Sequence, residues 1–452
     1  MNDIIIRLLN LQIKKMKNVT NGKISFLNSK FKNNLKLKTG DILGIYGQNG
    51  SGKTTVIDSL GILKSILSGI SLEKELVNLI TFNKKSIELY FEFYVKFEDE
   101  YIVEYKIELS KTENNDIEIS NESIYCSKYI NEQWERKKEL VTISYDDNFI
   151  TPKKNFKNLL IQDEMIEFLV NKGISKKSKI SLLFSDDNRK YFTENKDLLN
   201  IIKALEYYGK VNLFVVTNEE IGLITLNVLL PLKVKRLNSS GNLPIRIDNN
   251  ENIIINEEIY KDVEETISEI NIVLKRIIPD LQIDLSKLRR DITEKETNII
   301  ADLHSIRNGN PISFRYESEG IKRIVSILGV LIAVYHQPSI CLAIDELDSG
   351  IFEYLLGEIL EVLSDEIKGQ LIFTSHNLRI LEKINKDNII FTTVNPDNRY
   401  IKFKSVKPKN NLRDMYLREM IVQEQDEVLY EETKISDIKR AFYRAGVVNG
   451  KK

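Results

Sequence analysis

The chain has 452 residues, enough for two or three domains and a large buried core. Its 65 basic and 66 acidic residues nearly cancel, which argues against a nucleic-acid binder whose whole surface is basic. Two cysteines, Cys126 and Cys341, cannot build a disulfide framework and fit a reduced, cytoplasmic setting.

The amino terminus carries Asp3 and lacks a signal-peptide cleavage pattern. Strands are expected over Ile4 to Ile13, Lys23 to Leu27 and Asp41 to Tyr46, which are rich in aliphatic and β-branched residues and bounded by turn formers. Seven lysines crowd this stretch: Lys14, Lys15, Lys17, Lys30, Lys32, Lys36 and Lys38. A solvated surface is the preferred reading, with a local basic patch as the alternative. After the third strand a helical period runs from Lys53 to Leu67, and residues 86 to 145 then alternate apolar and polar as a β-meander. The period turns helical again from Phe156 to about Tyr208. Residues 237 to 252, rich in Asn, Ser, Gly and Pro, read as a loop.

Apolar residues at Tyr260, Val263, Ile267, Ile270, Leu274 and Ile277 follow a heptad pattern that Pro279 ends. Its length falls short of the roughly 3–4 heptads a coiled coil needs, so a helix packed on its own domain is expected. The longest apolar run, Ile324 to Tyr335, is well below the roughly 20 residues that cross a bilayer, and no membrane contact is expected. His304, His336 and His376 are too scattered to pair on a metal. The tail from Asn411 looks helical and charged, with Tyr416, Leu417, Met420 and Ile421 as one apolar stripe. It is expected to dock on the core rather than to serve as a partner-binding appendage.

Gly47, Gln48, Asn49, Gly50, Ser51, Gly52, Lys53 and Thr54 satisfy the pattern G-x-x-x-x-G-K-[ST], between an apolar strand and a helix, with Thr55 following. Glycines let main-chain N–H groups turn toward phosphate oxygens, and the helix terminus adds its positive dipole end. Lys53 would neutralise the β- and γ-phosphates of ATP, and the Thr54 hydroxyl would ligate magnesium. The strand Ile340 to Ile344 ends in Asp345 and Glu346. Asp345 suits magnesium held through its water shell, and Glu346 a general base for the attacking water. Leu371 to His376 is a second apolar strand, and its terminal histidine can reach a γ-phosphate. An ordinary strand-end histidine is the alternative there. Ser318, Glu319 and Gly320 precede an apolar helix and make a second anion site, or a simple cap.

In this order, GQNGSGKT, SEG, AIDE and FTSH resemble the SMC-like ATPase heads of the ABC superfamily. That resemblance covers about 1–70 and 310–400. It implies two heads joined head to tail around two ATP molecules, with Ser318 and Gly320 as the signature and His376 as the switch histidine. About 260 residues lie between Thr54 and Ser318, as in the split heads of repair and defence ATPases. DELDSGIFEYLLGEIL, SEGIKR and FTSHN are similar to the overcoming-lysogenization-defect and abortive-infection ATPases, a group that includes the ATPase subunits of the Septu and PARIS antiphage systems. Two features depart from that pattern. Ile351, Phe352 and Glu353 stand where many relatives have Leu-His-Pro, which leaves Asp348 as the candidate distal-loop aspartate. The magnesium-reporting glutamine has only Gln133 and Gln162 as candidates.

The resemblance implies an α/β fold: an ABC-type phosphate-loop head with a mixed sheet, an antiparallel β subdomain and a mainly helical insertion. Residues 1–85 would form the first part of the head and 86–150 its β-rich subdomain. An insertion would span 151–305, the second part of the head 306–405, and a helical tail 406–452. The implied function is a slow, magnesium-dependent ATPase acting as a nucleotide-gated sensor or scaffold in antiphage defence. The 76 residues after His376 are too few for a full Toprim nuclease. The toxic or nuclease effector would therefore be a neighbouring gene's product, with nucleic acid or a phage protein as further candidate partners. The alternative is a DNA-maintenance ATPase that clamps duplex DNA.

Overall fold

The computed structural model describes residues 4–26, 40–147, 149–152, 162–217, 253–292, 297–403, 411–422, 425–431 and 433–448. For 229–235 and 240–247 it describes the main chain only. Its centre is a six-stranded sheet in the order β10 (Leu213–Val216), β17 (Cys341–Ile344), β18 (Gln370–Thr374), β3 (Asp41–Tyr46), β19 (Ile389–Thr392), β20 (Tyr400–Ile401). All neighbours are parallel except β19 and β20. These strands are continuously apolar because both faces are covered. On β17, Cys341 and Ala343 enter one core, whereas Leu342 and Ile344 enter the other.

The first core is closed by helix α1 (Lys53–Leu67) and by an eight-stranded antiparallel sheet. That sheet runs β2 (Val19–Ser25), β1 (Ile5–Met16), β4 (Ser86–Lys96), β5 (Glu100–Lys111), β6 (Ile117–Ile130), β8 (Lys138–Ser144), β9 (Phe149–Thr151), with β7 (Gln133–Trp134) pairing β6. The two sheets are riveted by Arg7, which donates to Asp41 at 3.1 Å and to Lys368 O, and by Gln370, whose amide exchanges two 2.8 Å bonds with the main chain of Leu8.

Beyond this sheet come α2 (Gln162–Ser178) and α3 (Lys196–Tyr207), as the helical period predicts. Residues 151–305 also hold strands, which join a third, antiparallel sheet: β11 (Leu229–Lys235), β12 (Ser240–Ile247), β13 (Ile253–Asn256), β15 (Thr297–Arg307) and β14 (Leu281–Ile292), with β16 (Asn310–Ser313) on β15. The loop expected over 237–252 is therefore a strand at 240–247, because Leu243, Ile245 and Ile247 carry a period of two past the turn formers. Its other residues lie outside those described.

The heptad helix is α4 (Glu257–Ile277), capped by the Asn256 side chain and ended before Pro279. It buries Val263, Ile267, Ile270 and Leu274 in its own core beside α5 (Glu319–His336), in keeping with a helix packed at home. Helices α6 (Glu353–Glu366), α7 (Ile380–Lys383) and α8 (Leu412–Val422) complete that layer. No helix among the described residues is long and apolar enough to cross a membrane.

The tail divides. Tyr416 is buried against Phe391 and Tyr46, but Leu417 and Ile421 face outward, so the expected four-residue stripe narrows to Leu412, Tyr416 and the partly buried Met420. Residues 425–431 then strap the β19–β20 end. Val394 N donates to Val428 O at 2.8 Å, and Asn395 and Asn398 both donate to the Glu427 carboxylate. Helix α9 (Ile435–Val448) follows, with every described side chain from 435 to 445 exposed.

Candidate functional site

Parallel strands deliver their carboxyl ends to one edge, and three neighbours deliver the chemistry there. β3 leads into the 47–54 loop, β18 into His376, and β17 into Asp345 and Glu346. The loop's last glycine, Gly52, caps α1 at φ +93, a left-handed conformation that glycine adopts without a Cβ clash. No side chain caps α1 and no acid lies in its first turn, so its leading N–H groups and dipole remain available to an anion.

The loop is pinned from behind. Ser51 Oγ shares a 2.5 Å bond with Thr392 Oγ1, and Tyr400 OH donates to Gly52 O at 2.7 Å. Gly47 packs so tightly that a Cβ would fall 1.6 Å from Thr392 Oγ1. Lys53 is buried and donates to Gly47 O at 2.9 Å and Gln48 O at 3.0 Å, which holds its ammonium over the loop's own rim. Desolvation lowers its affinity for a proton, and the charges of Asp345, Glu346 and Asp348 oppose that shift. From the opposite side, Glu431 N of the tail strap donates to Gln48 Oε1 at 3.2 Å.

Asp345 faces the loop. Its Oδ1 accepts from Thr54 Oγ1 at 3.3 Å and from Thr374 Oγ1 at 2.6 Å. The Thr54 hydroxyl is thus placed to ligate magnesium, and Asp345, hydrogen-bonded to it at 3.3 Å, to accept from the ion's water shell. Among the described residues no three His, Cys, Asp or Glu side chains cluster to hold a metal, so phosphate oxygens and water would supply the remaining ligands. Glu346 has φ +48, rare for a residue with a side chain, and its N–H is held by Thr374 Oγ1 at 2.7 Å. His376 N donates to both Asp348 oxygens at 3.2 and 3.3 Å. Partial desolvation, and then the Lys53 cation, push its imidazole below the ordinary value, which favours the neutral ring at neutral pH.

A cleft of about 340 Å³ collects Asn49, Gly50, Gly52, Lys53, Thr54, Thr55, Asp345, Glu346 and His376 from three separate stretches of chain. It also takes in Lys17 and Asn18, to which no role was assigned above. Lys17 sits in the β1–β2 turn at φ +51 and pairs with Asp58 of α1 at 2.5 Å. Thr374, Thr392 and Tyr400 were likewise missed. Only their residue types were visible in sequence, and their partners lie far away along the chain.

Ser318, Glu319 and Gly320 are not among the residues lining this cleft. Ser318 caps α5 by accepting from Ile321 N at 3.4 Å, and Ser318 and Glu319 are exposed. Gly320 rests on the loop after Glu346, where a Cβ would lie 2.1 Å from Gly350 O. Gln133 lies on β7, in the antiparallel sheet, and is not among the cleft residues. The Gln162 side chain lies outside those described. Of the amino-terminal lysines, Lys14 and Lys15 are paired with Glu88, while positions 30 to 38 lie outside the described residues.

Phosphate loop, paired acids and strand-end histidine on adjacent parallel strands are the arrangement of a phosphate-loop nucleotide-binding domain. The chain belongs to the family whose model is described as "AAA domain, putative AbiEii toxin, Type IV TA system", which matches residues 42–382. No curated protein matches it in sequence. Similar solved structures include an SMC head bound to the C-winged helix domain of ScpA, with 15% identity, 88% of this chain and 98% of that chain covered, and a TM-score of 0.45. The SMC head domain from Thermotoga maritima has 14% identity, coverages of 88% and 99%, and a TM-score of 0.37. The recombination mediator RecF bound to ATPrS has 16% identity, coverages of 85% and 97%, and a TM-score of 0.36.

Proposed function

We propose that the protein hydrolyses ATP between two copies of itself and uses the cycle to hold and release a toxic partner in antiphage defence. One observation carries the head-to-tail reading. The cleft already has an uncapped helix terminus of its own, whereas the capped terminus at Ser318 stands exposed and separate from it. A second anion-binding terminus has no phosphate to meet in its own chain, so it would complete the cleft of a twin.

In this reading the N–H groups of 50–54 and the Lys53 ammonium hold the β- and γ-phosphates. Thr54 and Asp345 hold magnesium, which when bound neutralises phosphate charge. Glu346 takes the proton of the attacking water as the bond from the γ-phosphorus to its bridging oxygen breaks. Neutral His376 donates to a γ-phosphate oxygen, and Ser318 of the twin closes the far side. The defence role draws on the family's toxin–antitoxin description, and the effector would be a separate protein.

Mixing two inactive variants tests this reading. In a mixed dimer K53A and S318R fall on the same composite cleft, so the other, built from the native Lys53 of one chain and the native Ser318 of its twin, stays intact. Recovery of up to about half the native activity is expected on mixing, and E346Q should accumulate ATP-bound dimers on a sizing column. A native rate in S318R, or no recovery on mixing, would remove the shared site. DNA-stimulated hydrolysis with affinity falling steeply in salt would favour the DNA-clamping alternative.

A further inference from the structure

Arg323 sits on α5 five residues after Ser318 and turns inward, 3% exposed. Its Nη2 donates to two successive main-chain carbonyls, Asp345 O at 3.1 Å and Glu346 O at 2.8 Å, while Nε and Nη1 carry no hydrogen bond. Burial lowers the guanidinium to about 10, opposed chiefly by the charge of Asp348, so it remains a cation at neutral pH. Glu346 holds its left-handed backbone between two restraints, the Thr374 hydroxyl on its N–H and Arg323 on its carbonyl. The same helix presses Gly320 against Gly350, within the loop that supplies Asp348 to His376 N. A residue at positive φ keeps that shape only when its surroundings over-determine it. The helix that carries Ser318 provides one of those surroundings, and Arg323 is the link.

We propose that Arg323 is a positioning residue: it fixes the main chain of Glu346 to the helix bearing Ser318, so that the carboxylate meets the attacking water in line. This rests on the ATPase reading above, with Glu346 as base. Arg323 is buried and is not among the residues lining the cleft, so its loss should leave ATP affinity intact and act on turnover.

The test uses the full-length protein, with ATP as substrate and a fluorescent ATP analogue for binding. Native hydrolysis and recovery in the K53A/S318R mixture are established first, and failure there sinks the ATPase reading itself. R323M is then expected to lower kcat by about 10- to 100-fold, the scale of a small misplacement of a reacting group, with analogue Kd within about two-fold of native. R323K keeps a buried cation and should lose only about three- to ten-fold. If R323M loses its cooperative melt, R323K alone decides. In the mixed dimer, R323M placed on the S318R chain, which owns the working Glu346, should abolish the recovered activity. Placed on the K53A chain it should not. Native kcat in R323K, a Kd that weakens in step with kcat, or equal loss from either chain would each overturn the proposal.

Discussion

Thr374 offers the sharpest single perturbation. One hydroxyl gives a 2.6 Å bond to the Asp345 carboxylate and accepts a 2.7 Å bond from Glu346 N, at a residue with no solvent exposure. T374V keeps the shape and deletes both bonds. Losing a hydrogen bond to a charged group costs roughly 1.5–3 kcal/mol, and a buried N–H left unpaired costs about 1–3 kcal/mol. Asp345 retains Thr54, so a net loss of about 3 kcal/mol is reasonable. At about 2.1 cal/mol/K of unfolding entropy per residue, a chain of 452 residues melting as one unit would lose about 3 °C. Scanning calorimetry of the native protein, T374V and T374S measures this, with the serine variant expected near native because it keeps the hydroxyl. ATP hydrolysis by T374V should fall by at least about ten-fold, since both strand-end acids lose a restraint. If T374V melts within 1 °C of native and turns over normally, the assignment of Thr374 as the residue orienting both acids is wrong.

Two further outcomes follow from groups away from the cleft. Glu122 is wholly buried and accepts from Tyr145 OH at 2.9 Å and Ser181 Oγ at 2.8 Å, tying β6 to the segment after α2. Desolvation lifts its carboxyl from 4.5 to about 7. The folded chain therefore keeps a proton that the unfolded chain has already released. This group's contribution is full below pH 4.5, falls by about 3 kcal/mol as pH rises to about 7, and is flat above that. Urea titrations across that window should show a fall in the native protein that E122Q lacks, and parallel curves would refute it. On α8, Y416A should destabilise by about 3–5 kcal/mol because Tyr416 stacks on Phe391 at 4.9 Å. I421A, on the exposed side, should stay within about 0.5 kcal/mol, and thermal melts compare the two.

The cleft residues that could be read from sequence are those whose backbone demands are local. The glycines of the 47–54 loop announce a turn before a helix, and Asp345, Glu346 and His376 end apolar runs that parallel strands require. Thr374 and Thr392 were legible only as strand residues, because their roles depend on which strand lies beside which. The order β17-β18-β3-β19 is set by tertiary pairing rather than by any local pattern. The tail illustrates the same limit. Tyr416, Leu417, Met420 and Ile421 are all apolar, and only the neighbouring Tyr46 and Phe391 decide which side is buried. In the third sheet, strand alternation was hidden by the turn-forming residues of 237–252, whereas the heptad of α4 stood out.

The central sheet also sets a schedule for biosynthesis. β3 is made early, yet both strands that flank it, β18 and β19, emerge more than 320 residues later. At about 5–20 residues per second a ribosome needs roughly 15 to 65 seconds to span that gap. Throughout that interval the 47–54 loop lacks the strands that brace it, while β1, β4, β5 and β6 can already zip together as neighbours. A nascent chain released before residue 370 would therefore carry the whole phosphate motif with neither of the strands that pair with β3.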